Sequence, residues 1–520
     1  MTHCFSRRSF LKGSAAAAAA LTSPLLPADA AFSETENGLF SPVSALCQTQ
    51  YGPVKGREGE NGQLCWYGIP YGAAPTGESR WTAPQEPARW LTVRDCTSPA
   101  PAAYQYTTFP LGTEDCLTLD IYSSAEAKKR PVLVYLHGSA ATGSSLELPG
   151  SELVRDAGCV FVALNYRLGL FGWNCLPALT SGSDAVGNFA LLDIARALDW
   201  VKENIHRFGG DADNITLCGF SDGGRMAAAL AGSPLFRERF QKAVAISGGL
   251  SLADPDAAAQ KLAENFAPLA VEDGRFADTA SAAEWLLTPG ADVREWLCGL
   301  EPARIAALGK PAILYADDVV LSRDARSAVP LLLLSSATEF SGFVRDDLRP
   351  ASSAARAYAV KYGSALCRWS STEAVAEAVA EALGGSAPVW LGLIDYGGTD
   401  SQTTIPGLGS FHGLPLALFS SESSYSACAD LSSAGAQALS AQLKQALAGF
   451  MTSGSPGWDV WTPQDRDALH FDADSETACV TFNSYPDTQE SIRAAMAADT
   501  SLSAAEKETV EHLYFSGFSF

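Results

Sequence analysis

The chain has 520 residues, of which 47% are hydrophobic and 18% charged, and its formal net charge is −22. This composition is typical of a globular protein and excludes a disordered or fibrous chain. The acidic balance argues against nucleic acid or an anionic membrane surface as a partner, because both attract basic proteins.

The N-terminal segment has the pattern of an export signal. The pair Arg7-Arg8 precedes a weakly apolar stretch at 15–26, and Ala28-Asp29-Ala30 is a small-x-small cleavage signal. The segment resembles a twin-arginine signal, which implies folding before export; a disordered basic tail is the alternative. The apolar stretch is shorter than the roughly 20 residues that span a bilayer, so no membrane span is expected. We predict that residues 1–30 are removed and that 31–520 form a single domain, exported to the periplasm or beyond.

Downstream, short apolar runs alternate with segments of helical periodicity. Strands are predicted at 64–67, 117–122, 131–136, 159–164, 214–218, 243–246, 331–334 and 389–394, and helices at 189–205, 225–231, 372–383 and 436–451. Continuous apolar runs are typical of strands that are covered on both faces. The alternation predicts an α/β fold with a mostly parallel central sheet, helices on both faces and an N-terminal β meander.

Residues 251–330 differ from the rest of the chain, because they are rich in Ala and Asp and contain few strand-like runs. They lie between predicted core strands, which indicates a helical insertion. Ligands of open α/β sheets bind at the carboxyl ends of the parallel strands. The insertion is therefore predicted to form a lid or a pocket wall.

The segment Gly219-Phe220-Ser221-Asp222-Gly223 fits G-x-S-x-G, a turn that presents a nucleophilic serine between a strand and a helix. The motif alone is weak, but here a predicted strand precedes it and a predicted helix follows it. Glycines at 219 and 223 lack the Cβ atoms that would clash in such a turn. The N–H groups at the start of the next helix are suited to a developing oxyanion.

A nucleophilic serine needs a base and an acid that orients the base. Of the histidines, His412 has the best position, in a Gly-flanked loop after a predicted strand, although a lone loop histidine is often structural. Glu339 follows the most apolar strand and lies between Ser221 and His412, the order expected for this type of triad. At this level, a plain Gly-rich turn that happens to contain a serine remains the alternative for the motif, and a structural role remains the alternative for His412.

Several motifs together resemble the type-B carboxylesterase family, the cholinesterase-like α/β-hydrolases. They are GIPYG at 68–72, EDCLTLDI at 114–121, NYRLG at 165–169, Gly187-Asn188, ALDWVKENI at 197–205, FGGD at 208–211 and Ser247-Gly248. Glu339 with Phe343 resembles the acid loop of this family, and His412-Gly413 resembles its histidine loop. Thr338 stands where the family usually has Asp.

The resemblance implies an α/β-hydrolase fold and a serine carboxylesterase without metal or cofactor, acting on a small-molecule ester. It assigns Ser221, Glu339 and His412 as nucleophile, acid and base, and Ser247 as a serine that supports the active site without belonging to the triad. His137-Gly138-Ser139-Ala140-Ala141 stands where the family has HGGGF, and the loop is one residue shorter. The N–H groups of Ser139, Ala140 and Asp222 are then the predicted oxyanion donors.

The resemblance also bears on two cysteines. Cys96 and Cys116 flank a proline-rich loop, and the residues alone leave a disulfide bond between them open. The cysteine of the EDCL motif commonly pairs with an upstream cysteine in the family, so Cys96 and Cys116 are the candidate pair.

Asp222 departs from the family, which usually has Ala after the serine. In one interpretation its carboxylate is held by the helix start and by Arg225, three residues on. In the other it faces the pocket and favours cationic substrates. An amidase or peptidase of short acylated substrates, and a non-catalytic cholinesterase-like binding protein, remain the alternative functions. The sequence leaves the oligomeric state open.

Overall fold

The computed structural model describes residues 43–59, 62–180, 187–323, 329–347, 349, 351–383, 387–399, 401–484, 487–516 and 518. The predicted export signal at 1–30 lies outside the described residues.

Strands and helices are numbered in chain order. The strands are β1 (Leu46–Gln48), β2 (Pro53–Lys55), β3 (Arg57–Glu58), β4 (Gln63–Pro70), β5 (Arg94–Asp95), β6 (Gln105–Tyr106), β7 (Pro110–Leu111), β8 (Thr118–Ser124), β9 (Arg130–Leu136), β10 (Val160–Leu164), β11 (Gly210–Phe220), β12 (Lys242–Ile246), β13 (Leu331–Ser336), β14 (Val389–Ile394), β15 (Asp467–Ala473) and β16 (Ala478–Ser484). The α-helices are α1 (Ser151–Asp156), α2 (Gly169–Gly172), α3 (Pro177–Thr180), α4 (Phe189–Asn204), α5 (Asp222–Ala231), α6 (Pro255–Glu272), α7 (Thr279–Leu286), α8 (Ala291–Gly299), α9 (Pro302–Ala306), α10 (Ser341–Asp346), α11 (Ser353–Ser371), α12 (Glu373–Leu383), α13 (Leu414–Phe419), α14 (Ala434–Ser453), α15 (Gln489–Ala498) and α16 (Ala504–Val510). Single 3₁₀ turns occur at Gly77–Ser79, Ser145–Glu147, Ile205–Phe208, Pro234–Phe236 and Ser426–Cys428, and a π-helical turn at Glu511–Phe515.

One large sheet organises the part of the chain that the structure describes. Eleven of the described strands form it, in the order β16-β15-β14-β13-β12-β11-β9-β10-β8-β4-β3. Strands β9 to β15 run parallel to one another, whereas β3, β4 and β8 at one edge and β16 at the other pair antiparallel. The mostly parallel sheet with an antiparallel N-terminal part is thus confirmed.

The central strands are buried on both faces, so each contributes to two hydrophobic cores. In β9, Val132 and Val134 belong to the core on the side of α4 and α5, and Leu133 and Tyr135 belong to the core on the side of α14. This alternation follows from the two-residue period of a strand. It explains why the sequence of β9 reads as a continuous apolar run instead of an alternating one.

The predicted strands coincide with observed ones, and the largest difference lies before the elbow. The sequence predicts a strand at 214–218, but β11 spans Gly210–Phe220. Its first residues, Gly-Asp-Ala-Asp-Asn, are polar, and the pairing with β9 is irregular between Gly210 and Ile215. A polar, irregularly paired half-strand has no apolar run by which the sequence could reveal it.

Helices α6 to α9 lie between β12 and β13, in the region where the sequence predicts a helical insertion. Several long-range hydrogen bonds attach this region to the rest of the chain, and those of Arg80 and Asn188 are examples. Arg80 Nη1 donates to the carbonyl of Leu300 at 2.9 Å, near the end of α8. Asn188 and Tyr315 exchange two hydrogen bonds, at 2.8 and 2.9 Å. Residues 324–328 of the predicted insertion lie outside the described residues, and its role as a lid stays a prediction.

The NYRLG segment after β10 has a structural role beside the site. The guanidinium of Arg167 forms a buried ion pair with Asp193, with Nε–Oδ2 at 2.8 Å and Nη2–Oδ1 at 2.5 Å. Gly169 N–H donates to the carbonyl of Ala140 at 2.7 Å, so this segment anchors the loop that follows β9. Within the described ranges, we find no helix with the length and apolarity needed to cross a membrane.

Candidate active site

Ser221 lies at the junction between β11 and α5, at the carboxyl end of the central parallel strands. Its backbone has φ 56° and ψ −120°, a conformation that a residue with a side chain rarely adopts. The surrounding packing enforces it: a Cβ on Gly219 would lie 2.0 Å from the carbonyl oxygen of Gly223, and one on Gly223 would lie 2.2 Å from that of Leu136. The turn therefore requires both glycines, and it leaves the Ser221 side chain partly exposed.

Glu339 and His412 meet beyond the ends of β13 and β14. Glu339 Oε2 and His412 Nδ1 are 2.5 Å apart, and the glutamate is 1% exposed. A carboxylate on Nδ1 fixes the ring orientation and the tautomer in which Nε2 can accept a proton. Among the described residues His412 Nε2 is buried and has no hydrogen-bond partner, so the bond to Ser221 is not formed in this state. Catalytic hydrogen bonds are often long before substrate binds.

The other oxygen of Glu339 is held by three donors. Oε1 accepts from Ser247 Oγ at 2.5 Å, from Ser335 Oγ at 2.8 Å and from the N–H of Ser336 at 2.7 Å. Burial raises the pKa of the Glu339 carboxyl, but the charge of His412 and these hydrogen bonds outweigh burial and hold the pKa below its usual range. The carboxylate is therefore ionised at neutral pH. Ser247 is predicted from the sequence, but Ser335 and Ser336 are not; their signal is a pair of hydroxyl residues at the end of an all-leucine strand.

Two phenylalanines place His412 beside the elbow. Its ring centroid is 4.7 Å from that of Phe220, the residue before Ser221, and 5.1 Å from that of Phe343. Phe220 is buried and Phe343 is 40% exposed. The imidazole therefore packs against Phe220 and Phe343, and its side chain is 14% exposed.

Two other histidines do not fit the role of the base. His470 Nδ1 pairs with Asp395 Oδ2 at 2.7 Å, but His470 lies on β15, four strands from β11, or roughly 19 Å at normal strand spacing. His137 is adjacent to the elbow region, yet burial lowers its pKa to about 4, and its Nδ1 lies 2.9 Å from the carbonyl of Gly138.

The predicted oxyanion donors lie in the loop after β9 and at the start of α5. Ser139 has a left-handed backbone with φ 60°, and its N–H donates no hydrogen bond to the described residues. The N–H of Ala140, by contrast, donates to the carboxylate of Asp222, with N–Oδ2 at 2.9 Å. The N–H of Asp222 is the first of α5 and has no intrahelical acceptor.

The side chain of Asp222 also contacts Arg225. Asp222 Oδ1 and Arg225 Nη1 are 3.2 Å apart, as the first sequence interpretation of this aspartate expects. Arg225 in turn donates to Ser251 Oγ at 2.9 Å, at the beginning of the insertion. The Asp222 side chain is 31% exposed, so its carboxylate is hydrogen-bonded but not buried.

A second carboxylate, Glu147, lies beneath the oxyanion loop and was missed by the sequence analysis. Its Oε2 accepts from Tyr135 Oη and from the N–H of Gly138, both at 2.7 Å. Burial raises the pKa of Glu147 to about 7, although these hydrogen bonds and the charge of His412 lower it. The sequence signal is weak: a single glutamate between two leucines in a Ser-rich turn.

The disulfide bond suggested for Cys96 and Cys116 is not confirmed, because both residues are free thiols in this structure. Each side chain is 1% exposed. Burial raises the pKa of Cys96 to about 12 and that of Cys116 still further, which disfavours the thiolate needed to form the bond.

Part of the chain is similar to a known protein family. Residues 43–286 match the model of the carboxylesterase family. Residues 4–24 match a twin-arginine translocation signal, which confirms the predicted signal and indicates export across the cytoplasmic membrane, to the periplasm or beyond.

Two curated relatives are each similar to part of this chain. The chain is 40% identical to the para-nitrobenzyl esterase of Bacillus subtilis over 243 residues, 44% of this chain and 49% of that protein. It is 35% identical to human carboxylesterase 3 over 247 residues, 42% of this chain and 43% of that protein. The chain thus matches about half the length, or less, of these curated relatives.

The structural likeness extends further along the chain. A carboxylesterase from Geobacillus stearothermophilus superposes with a TM-score of 0.68 and 26% identity, covering 87% of this chain and 100% of the other. The predicted α/β-hydrolase fold is thereby confirmed.

Proposed function

We propose that the protein is a serine carboxylesterase that hydrolyses small-molecule esters through an acyl-enzyme intermediate. The observation that carries the proposal is the Glu339–His412 hydrogen bond of 2.5 Å beside the strained Ser221 elbow. A strained serine next to an oriented imidazole is the arrangement that acyl transfer needs.

In this mechanism His412 Nε2 takes the proton of Ser221 Oγ as the oxygen attacks the ester carbonyl. Glu339 stabilises the imidazolium that forms and keeps the ring in place. N–H groups of the oxyanion loop and of the start of α5 stabilise the tetrahedral oxyanion. His412 then protonates the leaving alcohol, and a water molecule repeats the sequence to release the acid and restore Ser221.

The test is a panel of p-nitrophenyl esters of increasing acyl length, together with p-nitrobenzyl acetate, because one relative is a para-nitrobenzyl esterase. Ser221→Ala is expected to abolish turnover and labelling by a fluorophosphonate probe, since it removes the nucleophile. Ser453→Ala, which removes an exposed hydroxyl at the end of α14, serves as the matched control and should retain labelling. Equal activity in wild type and Ser221→Ala would refute the proposal.

One observation favours a second candidate, a non-catalytic binding protein of this fold. The Ala140 N–H, a predicted oxyanion donor, is already bonded to Asp222. Folded wild-type protein that neither labels with the fluorophosphonate nor hydrolyses any ester of the panel would support this candidate. The amidase alternative is tested with p-nitroanilides that carry the same acyl groups as the esters. Turnover of an anilide at a rate near that of the matching ester would favour an amidase.

A further inference from the structure

Asp222 departs from the expected chemistry of the site, because its carboxylate occupies an N–H group that an oxyanion would need. The N–Oδ2 distance from Ala140 is 2.9 Å, a normal charge-assisted hydrogen bond. The two residues are 82 positions apart in the chain, so the contact is a product of the fold and not of a local turn.

The remaining contacts hold this carboxylate in place. Arg225 Nη1 lies 3.2 Å from Oδ1, and Arg225 Nη2 donates to Ser251 Oγ at 2.9 Å. The Ala140 loop is itself anchored, since its carbonyl accepts from the N–H of Gly169 at 2.7 Å. The donor of the Ala140–Asp222 bond is therefore held by Gly169, and the acceptor is held by Arg225.

We infer that Asp222 is a positioning residue that competes with the reaction's oxyanion for the N–H of Ala140. The inference rests on the proposed esterase function. In the resting site, the carboxylate accepts from the N–H of Ala140. Of the three predicted oxyanion donors, the N–H groups of Ser139 and Asp222 are then the two that donate no hydrogen bond to the described residues. When the tetrahedral intermediate forms, its negative charge must either share the Ala140 N–H with a carboxylate or displace that carboxylate toward Arg225.

Both routes raise the energy of the transition state more than that of the bound ester. A carboxylate close to a developing oxyanion repels it, and the ester carbonyl carries no full charge that would be repelled in the same way. An interaction that differs only in the transition state changes kcat and leaves KM nearly unaltered. Asp222 therefore sets the turnover of this site below what the three N–H groups would allow.

The experiment compares wild type, Asp222→Asn and Asp222→Ala with p-nitrophenyl acetate, measuring kcat and KM separately. Alanine removes the competing acceptor, so kcat should rise on the order of 10-fold or more, because one oxyanion donor is worth about 100-fold or more. Asparagine keeps an acceptor without charge and should give an intermediate kcat. KM should stay within about a factor of three.

The matched control is Asp278→Ala, which removes an aspartate that accepts from Ser281 N–H at the start of α7, away from Ser221. It should leave kcat unchanged. A kcat of Asp222→Ala or Asp222→Asn at or below that of wild type would overturn the inference and assign Asp222 a purely structural role. If Asp222→Ala does not fold, the isosteric Asp222→Asn decides alone.

The same assays separate this inference from the proposed function. If Ser221→Ala abolishes wild-type turnover but the Asp222 variants are no faster than wild type, the esterase function stands and the competition is refuted. If neither wild type nor any Asp222 variant turns over an ester or labels with the fluorophosphonate, the esterase function itself is refuted.

Discussion

Glu339 Oε2 contacts His412 Nδ1, and its other oxygen has three further donors, so its ionised form is stabilised strongly. Glu339→Gln would place an amide N–H against the Nδ1–H of His412. The ring would then adopt the tautomer with its proton on Nε2, which cannot accept a proton from Ser221. We expect kcat to fall on the order of 10⁴-fold with little change in KM, as measured with p-nitrophenyl acetate.

The control for this prediction is Asp395→Asn, which disrupts the pair between Asp395, directly after β14, and His470 on β15. Because that pair lies far from the elbow, its kcat should equal that of wild type. A kcat of Glu339→Gln within about 10-fold of wild type would contradict the role of Glu339 as the acid of a triad.

Glu147 is one of the buried carboxyl groups whose titration should appear in the stability of the protein. Its pKa is raised from 4.5 to about 7 in the folded protein, mainly by burial. The stabilising contribution is complete below about pH 4.5 and is lost as the pH rises to about 7, because the unfolded chain releases the proton first.

Glu147→Gln removes this titration while keeping an oxygen that accepts from Tyr135 and Gly138. Between pH 5 and 7.5 wild type should therefore lose about 2–3 kcal/mol of unfolding free energy relative to the variant, as measured by urea denaturation. Parallel stability curves for the two proteins would contradict the raised pKa.

Among the elements, the β11–α5 turn is packed too closely to accept a side chain at Gly219. Gly219→Ala would put a methyl group 2.0 Å from the Gly223 carbonyl oxygen, so the turn must open. We expect a loss of about 1–3 kcal/mol or more in unfolding free energy, together with a fall in kcat because Ser221 shifts.

Gly299→Ala, at the end of α8, is the matched control. A Cβ there meets no atom within 4 Å, and alanine favours a helix by up to about 1 kcal/mol. Thermal unfolding of Gly219→Ala and Gly299→Ala measures the change in stability that each substitution causes. Equal unfolding midpoints for Gly219→Ala and wild type would refute the close packing of the turn.

Sequence patterns predict the buried strands better than the exposed strands and helices. Apolar runs such as Leu331–Leu334 in β13 predict buried strands because a strand in a parallel sheet needs apolar residues on both faces. The strands β15 and β16 were not predicted. Strand β16 is mostly exposed, and β15 alternates apolar residues with half-buried polar ones, so neither has a long apolar run. Helices α15 and α16 at the C terminus were likewise missed, since their few buried residues give a weak period.

At the scale of the whole molecule, the export signal and the buried thiols together predict the redox state of Cys96 and Cys116 after export. Exported proteins enter compartments in which disulfide bonds form, yet Cys96 and Cys116 are buried thiols in the folded chain. A protein that folds before export has buried these thiols before it meets an oxidant. We expect both cysteines of the purified exported protein to be alkylated after unfolding without reductant, as measured by mass spectrometry of the peptides.

Thiol reductant should also leave the thermal unfolding midpoint unchanged, apart from any effect of cysteines outside this pair. A Cys96–Cys116 linked peptide in the unreduced digest would contradict the free thiols, and it would favour the pairing implied by the family resemblance.

The sequence by itself determined the fold class, the export signal and the candidate nucleophile, acid and base, because each is carried by a local pattern: an apolar run, a twin-arginine stretch, a glycine-flanked serine. The catalytic roles remain predictions. Only the tertiary structure decided that Glu147 lies beneath Gly138, that Cys96 and Cys116 are thiols, and that Asp222 holds the N–H of Ala140. The reason is physical: these contacts depend on distances and burial between segments that the chain brings together from afar, and residue order does not record such distances.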